Sequence, residues 1–268
     1  HDREIIHVIQ RGFLVDGQDG IRQPVGMHGF RLEVEAHIIT ASASTTENLR
    51  KCVSMAGIEV SQFVLSPLAS AEAVLSETER TMGAAVVDLG GGTTDLAIYL
   101  NGDVWYTNVI NIGSNYITTD IAQGLRLPVD VAEEVKLHHG YAVLDEISEE
   151  ESFNVVPFSA EESTKVLRRD LVNIIEARAE EILSLVHQEI KRSGVSGLLP
   201  AGLILTGGGS QLPGMRKLAT QVTGLPARIA KPEKMVGLTD QISTPAFSTS
   251  VGLLQWAILM SETYQIGS

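Results

Sequence analysis

Asp88-Leu89-Gly90-Gly91-Gly92-Thr93-Thr94-Asp95 is the stretch on which the reading of this 268-residue chain turns. Before it, Ala84 to Leu89 is an apolar run of strand length; after it, Thr94 to Leu100 is a second strand and Val104 to Ile110 a third. Between those two lies Asn101-Gly102, a dipeptide that accepts the positive φ angles of a two-residue hairpin. The glycine run therefore sits in a meander, from strand to turn to strand. That excludes the P-loop and Rossmann fingerprints, whose glycines lead from a strand into a helix. A second triple, Leu205-Thr206-Gly207-Gly208-Gly209-Ser210, ends another strand, Gly202 to Thr206, with Gly207 standing 117 positions after Gly90. Consecutive glycines adopt positive φ without a Cβ penalty and let backbone N–H groups approach an anion. Thr93 and Thr94 add hydroxyls. Asp88 ends a buried strand, where a carboxylate is costly without a partner, and a hydrated Mg²⁺ bridging to phosphates would supply one.

Around this centre the chain has the length of about two domains. Acidic residues outnumber basic ones by 33 to 20, a net charge of −13, so a general nucleic-acid binder is not expected. The one cysteine, Cys52, allows no intrachain disulfide and reads as a core residue. The longest nearly unbroken apolar stretch, Val251 to Met260, falls well short of the roughly 20 residues of a membrane span. The first residue is His1 rather than Met, which reads as a chain that is processed, cut or partly represented.

Residues 1–65 read as a small βαβ-type unit. Glu4 to Gln10 and Arg31 to Thr40 are strand-like, with turn signals from Asp16 to Gly29. Ser44 and Glu47 form a capping-box pattern, Leu49, Cys52, Val53 and Ala56 share a helical face, and Ile58 to Leu65 reads as a short strand. Ser66-Pro67-Leu68-Ala69-Ser70-Ala71 opens a thin Ala/Ser helix with Ser66 at its N-cap, suited to a packed hinge or to an ordinary buried position. Past Gly113 come helical patterns through Leu125 and from Val131 to His139. A stretch with seven acids and no Lys or Arg, residues 137–164, reads as a solvated loop or strand edge, or as an acidic partner surface. Ser163 to Arg192 reads as one long amphipathic helix, flanked by Arg168, Arg169, Arg178 and Glu181. Further helices are expected from about Pro213 and Pro245. The adjacent His138 and His139 lack zinc-ligand spacing and read as helix surface or packing.

Asp88 to Asp95 resembles the phosphate-2 motif of the actin, sugar-kinase and heat-shock-chaperone superfamily, and Leu203 to Ser210 resembles its adenosine motif. Ala132-Glu133-Glu134-Val135-Lys136, with Gly140 after it, is similar to the helix that touches ribose and adenine in bacterial actins; Glu133 and Lys136, three apart, share one face. Ser66 to Ala71, Ile117-Thr118-Thr119-Asp120-Ile121-Ala122, Ile175-Glu176-Ala177-Arg178, Glu181-Ile182-Leu183, Gly237-Leu238-Thr239-Asp240 and Val251-Gly252-Leu253-Leu254 narrow the resemblance to the FtsA family of bacterial cell-division proteins.

The resemblance implies an α/β, actin-like (ribonuclease H-like) lobe with an inserted outer subdomain 2B, plus a small α/β domain 1C. Residues 1–65 would be 1C, 66–82 a helix of subdomain 1A, 83–112 and 200–268 subdomain 2A, and 113–199 subdomain 2B. It implies ATP bound by Gly90, Gly91, Gly92, Thr93, Thr94, Glu133, Lys136, Gly207, Gly208, Gly209 and Ser210, with Mg²⁺ held through water by Asp88. Ser66 would stand where ATPase relatives place the Gln or Glu that orients water, so turnover would be slow at most. The implied role is a filament-forming scaffold at the division septum, on the cytoplasmic side of the inner membrane. It would bind the C-terminal tail of the tubulin-like protein FtsZ through Arg168, Arg169, Arg178 and Glu181, and other divisome proteins through 1C. Its membrane contact would run through a C-terminal amphipathic helix. That helix and the phosphate-1 segment have no candidate in this sequence. A pilus-assembly platform protein, and a small-molecule kinase of the same fold, are the alternative readings.

Overall fold

The computed structural model of the chain describes residues 2–158, 162–233, 237 and 240–266, of which 261–266 are described by their helical backbone. Leu238 and Thr239 of the expected motif, and residues 159–161 of the acidic stretch, lie outside the described residues.

The chain opens with β1 (Arg3–Val15), β2 (Gln18–Ile21) and β3 (Leu32–Ser42), an antiparallel sheet of order β2-β1-β3. Asp16 and Gly17, both at positive φ, turn β1 into β2, a strand hidden within the expected turn region. The Asp16 carboxylate accepts the amides of Phe30 and Arg31, which returns the chain to β3. The helix α1 (Ala43–Met55) begins one residue after Ser42, so Ser44 lies inside it and the expected capping box does not form. Glu47 instead pairs with Arg50 and Lys51. The inward face of α1 carries Thr46, Arg50 and Val53, with the Arg50 guanidinium over the Phe63 ring. Leu49 and Cys52 are rotated outward and exposed, contrary to the expectation that Cys52 is a core residue. Residues 58–65 form no strand.

Next come α2 (Ser66–Val74) and α3 (Glu77–Met82). Leu65, not Ser66, is the N-cap of α2, and the capping box of this region belongs to Ser76 and Glu79 at α3. The meander is as expected: β4 (Ala84–Leu89), β5 (Thr94–Leu100) and β6 (Asp103–Ile110), with Asn101 and Gly102 both at positive φ in the hairpin. There follow α4 (Ser114–Leu125), α5 (Val129–His139), β7 (Ser152–Val155), β8 (Thr164–Leu167) and α6 (Arg168–Arg192). Residues 164–167 are thus a strand paired antiparallel with β7, and the long helix starts later than its apolar spacing implies. The chain ends with β9 (Gly202–Thr206), α7 (Met215–Thr223), β10 (Ala227–Ile229) and α8 (Ser248–Ile266).

The main sheet has the order β10-β9-β4-β5-β6, with β10, β9 and β4 parallel and the meander antiparallel. Its central strands β4, β5 and β9 are buried along nearly their whole length because both faces are covered. Ala85, Val87, Leu89, Leu96 and Ile98 face a core shared with α4, α5, α6 and α7, while Ala84, Val86, Ala97 and Tyr99 face α2 and α8. The Ala/Ser composition of α2 has a direct use. It is packed so closely against α8 that a Cβ on Gly252 would overlap the Ala69 carbonyl and stand 3.1 Å from Ala69 Cα.

Candidate functional site

The two glycine loops meet because β4 and β9 are parallel neighbours, with Asp88 beside Thr206 at their ends. The first loop is closed by Gly90 N donating to Thr93 O (3.0 Å) and is fastened to α4 by Ser114 N to Gly90 O and Asn115 N to Gly91 O, both 2.9 Å. Gly113 makes this approach possible: a Cβ there would stand 2.5 Å from the Gly91 carbonyl oxygen. The second loop packs on the first, since a Cβ on Gly209 would meet Leu89 O at 2.9 Å and Ser114 Cβ at 3.1 Å. Of the six loop glycines only Gly207 has a positive φ, so close approach, more than unusual backbone angles, is what the triples provide.

Beside the loops lies a cavity of about 430 Å³. Gly91, Gly208 and Gly209 form one wall, and their amides donate to no backbone acceptor among the described residues. Glu133 and Lys136 of α5 form another, and Ile117, Leu137, Leu212 and Pro213 supply apolar surface, with Ser114 and Gln211 as further polar groups. Lys136 Nζ lies 2.7 Å from Glu133 Oε2 and donates to Thr118 Oγ1 at 2.8 Å, while Thr118 Oγ1 donates to Glu133 Oε2 at 2.5 Å. Burial pushes the Glu133 carboxyl up, but the hydrogen bonds from Lys136 and Thr118 and the lysine's charge outweigh it and hold the group below the usual carboxylate range.

Five expected residues therefore line one cavity: Gly91, Glu133, Lys136, Gly208 and Gly209. Gly90 and Gly207 shape the loops from behind, and Gly92 and Thr93 lie on the outer part of the first turn. Thr94 and Ser210 depart from the expectation, since both are fully buried. Their hydroxyls are engaged inward, Thr94 Oγ1 on Ile112 O at 2.8 Å and Ser210 Oγ on Gly207 O at 2.7 Å. Gln211, Leu212 and Pro213, just beyond Ser210, and the exposed Leu137 also line the cavity, and no motif in the sequence singles them out.

Asp88 has protein partners. Ser70 Oγ donates to its Oδ2 at 2.5 Å and Thr249 Oγ1 at 2.9 Å, which ties β4 to both α2 and α8. Directly across the ladder stands Asp95, buried, with Oδ1 lacking a hydrogen-bond partner among the described residues. Burial pushes the Asp95 carboxyl up to about 6; the Thr93 hydroxyl acts against this and the Asp88 charge adds to it.

The four residues expected at a partner surface all have internal partners. Arg168 reaches Glu151 at 2.6 Å and the His139 carbonyl, and Arg169 reaches Glu149 at 2.6 Å. Arg178 holds Asp120 on α4 with a forked pair of hydrogen bonds of 2.6 and 3.2 Å and also pairs with Glu181. Two acids of the stretch, Glu149 and Glu151, are thus paired by α6, and a third, Glu146, by Lys217 of α7.

The family model described as "Cell division protein FtsA" matches residues 85–252, and that described as "SHS2 domain inserted in FTSA" matches residues 1–40. This chain belongs to the FtsA family. Relatives described as cell division protein FtsA include that of Neisseria meningitidis, 41% identical over 96% of this chain and 62% of its own length. That of Bacillus subtilis is 42% identical over 96% of this chain and 57% of its own length, and that of Escherichia coli K12 37% over 95% and 62%. The FtsA-family chain thus spans about three fifths of the length of these relatives. Among solved structures, MreB5 of Spiroplasma citri bound to ADP superposes with a TM-score of 0.70 at 21% identity, covering 84% of this chain and 68% of that one. The PilM-PilN type IV pilus biogenesis complex gives 0.64 at 18%, covering 92% and 65%. At such identities these likenesses establish the fold, an actin-like α/β lobe.

Proposed function

We propose that this chain is the greater part of an ATP-binding, actin-like scaffold of bacterial cell division that forms filaments and tethers the FtsZ ring to the membrane. The observation that carries the nucleotide reading is the cavity where both glycine loops, whose Gly91, Gly208 and Gly209 amides donate to no backbone acceptor among the described residues, meet the Glu133–Lys136 pair. These amides suit phosphate oxygens, the apolar wall suits a base, and Glu133 suits ribose hydroxyls. The ADP in the MreB5 structure supports the same reading.

Mg²⁺ belongs to this proposal. The buried Asp95 oxygen, without a partner among the described residues and on the strand position opposite Asp88, fits a cation or its waters near the phosphate end. When bound, the ion would neutralise phosphate charge; Asp88 and Asp95 would hold its water shell, while the glycine amides orient the phosphates. Neither Ser66 nor Pro67 offers a base, which supports slow turnover at most.

The subdomain assignment is part of the same reading: 1C for 1–65, a 1A helix for 66–82, 2A for 83–112 and 200–268, and 2B for 113–199. The FtsZ tail would meet the α6 face bearing Arg168, Arg169, Arg178 and Glu181, exchanging internal ion pairs for pairs with the tail. Other divisome proteins would meet 1C, and a C-terminal amphipathic helix would place the whole protein at the septal membrane. Titration with labelled ATP and Mg²⁺, for this chain and for Gly91→Val, tests the nucleotide reading. A Cβ at Gly91 would stand 3.0–3.3 Å from the Asn115 side chain, so valine crowds the cavity edge without entering the core. Binding that is lost on substitution supports the reading, and equal binding by both forms sinks it.

A further inference from the structure

Thr118 was not expected in the site and does not line the cavity, yet its hydroxyl closes a three-membered ring of polar contacts behind the cavity wall. It accepts from Lys136 Nζ and donates to Glu133 Oε2, while Lys136 Nζ contacts the same carboxylate oxygen. Thr118 is 4% exposed and Lys136 8%, so each needs its partners in place. The Glu133 side chain is 40% exposed, and no described residue donates to its other oxygen, Oε1. One carboxylate oxygen is pinned, and the other belongs to a side chain that lines the cavity.

We propose that Thr118 is a positioning residue of this cavity, holding Glu133 as an oriented carboxylate whose Oε1 accepts a hydroxyl of a ligand's vicinal diol, as in the ribose of a nucleotide. The proposal rests on the nucleotide reading above. Its physical basis is that Lys136 alone does not fix the carboxylate plane, because an ammonium is a freely rotating point charge. The hydroxyl of α4 adds a second direction and anchors α5 to α4. With Oε1 poised, the site discriminates against a ligand lacking the hydroxyl, since the carboxylate is then left unpaired.

The test compares ATP with 2′,3′-dideoxy-ATP, by titration calorimetry with Mg²⁺, for the unaltered chain, Thr118→Val, Thr118→Ser and Glu133→Gln. Glu133 titration is followed by carbon NMR in the first two. The unaltered chain is expected to prefer ATP by about tenfold or more, the value of one hydrogen bond to a charged group. Thr118→Val is expected to abolish that preference with dideoxy-ATP affinity kept, Glu133→Gln to reduce it, and Thr118→Ser to restore it. In Thr118→Val the Glu133 titration should move upward. Equal loss of both ligands in Thr118→Val marks a merely structural threonine and overturns the proposal, as does a preference that survives. An unshifted Glu133 in the unaltered chain overturns the clamp itself. A depressed Glu133 titration without binding of either triphosphate overturns the nucleotide reading, and the diol with it.

Discussion

Substituting Gly252 by alanine adds one methyl group where α8 crosses α2. The added Cβ would overlap the Ala69 carbonyl and stand 3.1 Å from Ala69 Cα, and both sides of the contact are helix backbone with no rotamer to yield. The helices must part by roughly 1–2 Å to restore ordinary separation. Overpacking of this kind costs about 1–3 kcal/mol. Parting also stretches the ties at Asp88, whose Oδ2 accepts from Ser70 on α2 at 2.5 Å and from Thr249 on α8 at 2.9 Å. Loss of one buried hydrogen bond to a charged group adds about 1.5–3 kcal/mol. Against this stands the gain of about 1 kcal/mol from replacing glycine by alanine inside a helix. The net expectation is a loss of about 2–4 kcal/mol, which for a chain of this size lowers Tm by roughly 5–15 °C. Urea and thermal unfolding followed by circular dichroism measure it, with Ser70→Ala as a comparison that removes the hydrogen bond without the clash. A Gly252→Ala protein as stable as the parent, or more stable, would show helix propensity winning and would refute the close-crossing argument.

Glu79 is pushed up by burial, but the Arg228 fork at 2.6 and 2.8 Å and the hydrogen bonds from Ser76 outweigh this and hold it at about 2. With the folded value below the unfolded one, its stabilisation is full above about pH 4.5 and is lost as pH falls towards 2. Glu79→Gln should therefore cost about 1–3 kcal/mol at neutral pH and progressively less on acidification, as urea midpoints across pH will show. Asp95 has the opposite sign. Its folded value of about 6 exceeds the ordinary 3.8, so the native state loses stability as pH rises between these values, by about 3 kcal/mol in metal-free buffer. Asp95→Asn should flatten that part of the profile and raise stability at pH 7; an unchanged profile would count against a buried, poorly paired carboxylate. Cys52 is exposed and should react fully with a thiol reagent in the absence of denaturant, whereas slow reaction that urea accelerates would return it to the core.

What could be read along the chain was whatever depends on neighbours in sequence. The meander follows from three apolar runs and the Asn101-Gly102 turn, and the pairing of Glu133 with Lys136 follows from helical spacing alone. The two glycine triples marked the ends of two buried strands, and the parallel pairing of β4 with β9 then brought them together. Where a residue's role depends on which way its element faces, local pattern misled. Ser44 and Glu47 have capping-box spacing, but the helix begins a residue after Ser42; the rotation that buries Thr46 and half-buries Val53 turns Cys52 to solvent. Thr94 and Ser210 carry the hydroxyls a phosphate site wants, but strand alternation and the 3₁₀ turn after Gly207 point them into the core. The basic residues of α6 look available in the sequence, but the segment leading into β7 and the helix α4 bring carboxylates to them. Spacing along a chain sets which residues share a face; packing against distant segments sets which way that face turns, and so which polar groups stay open to a ligand.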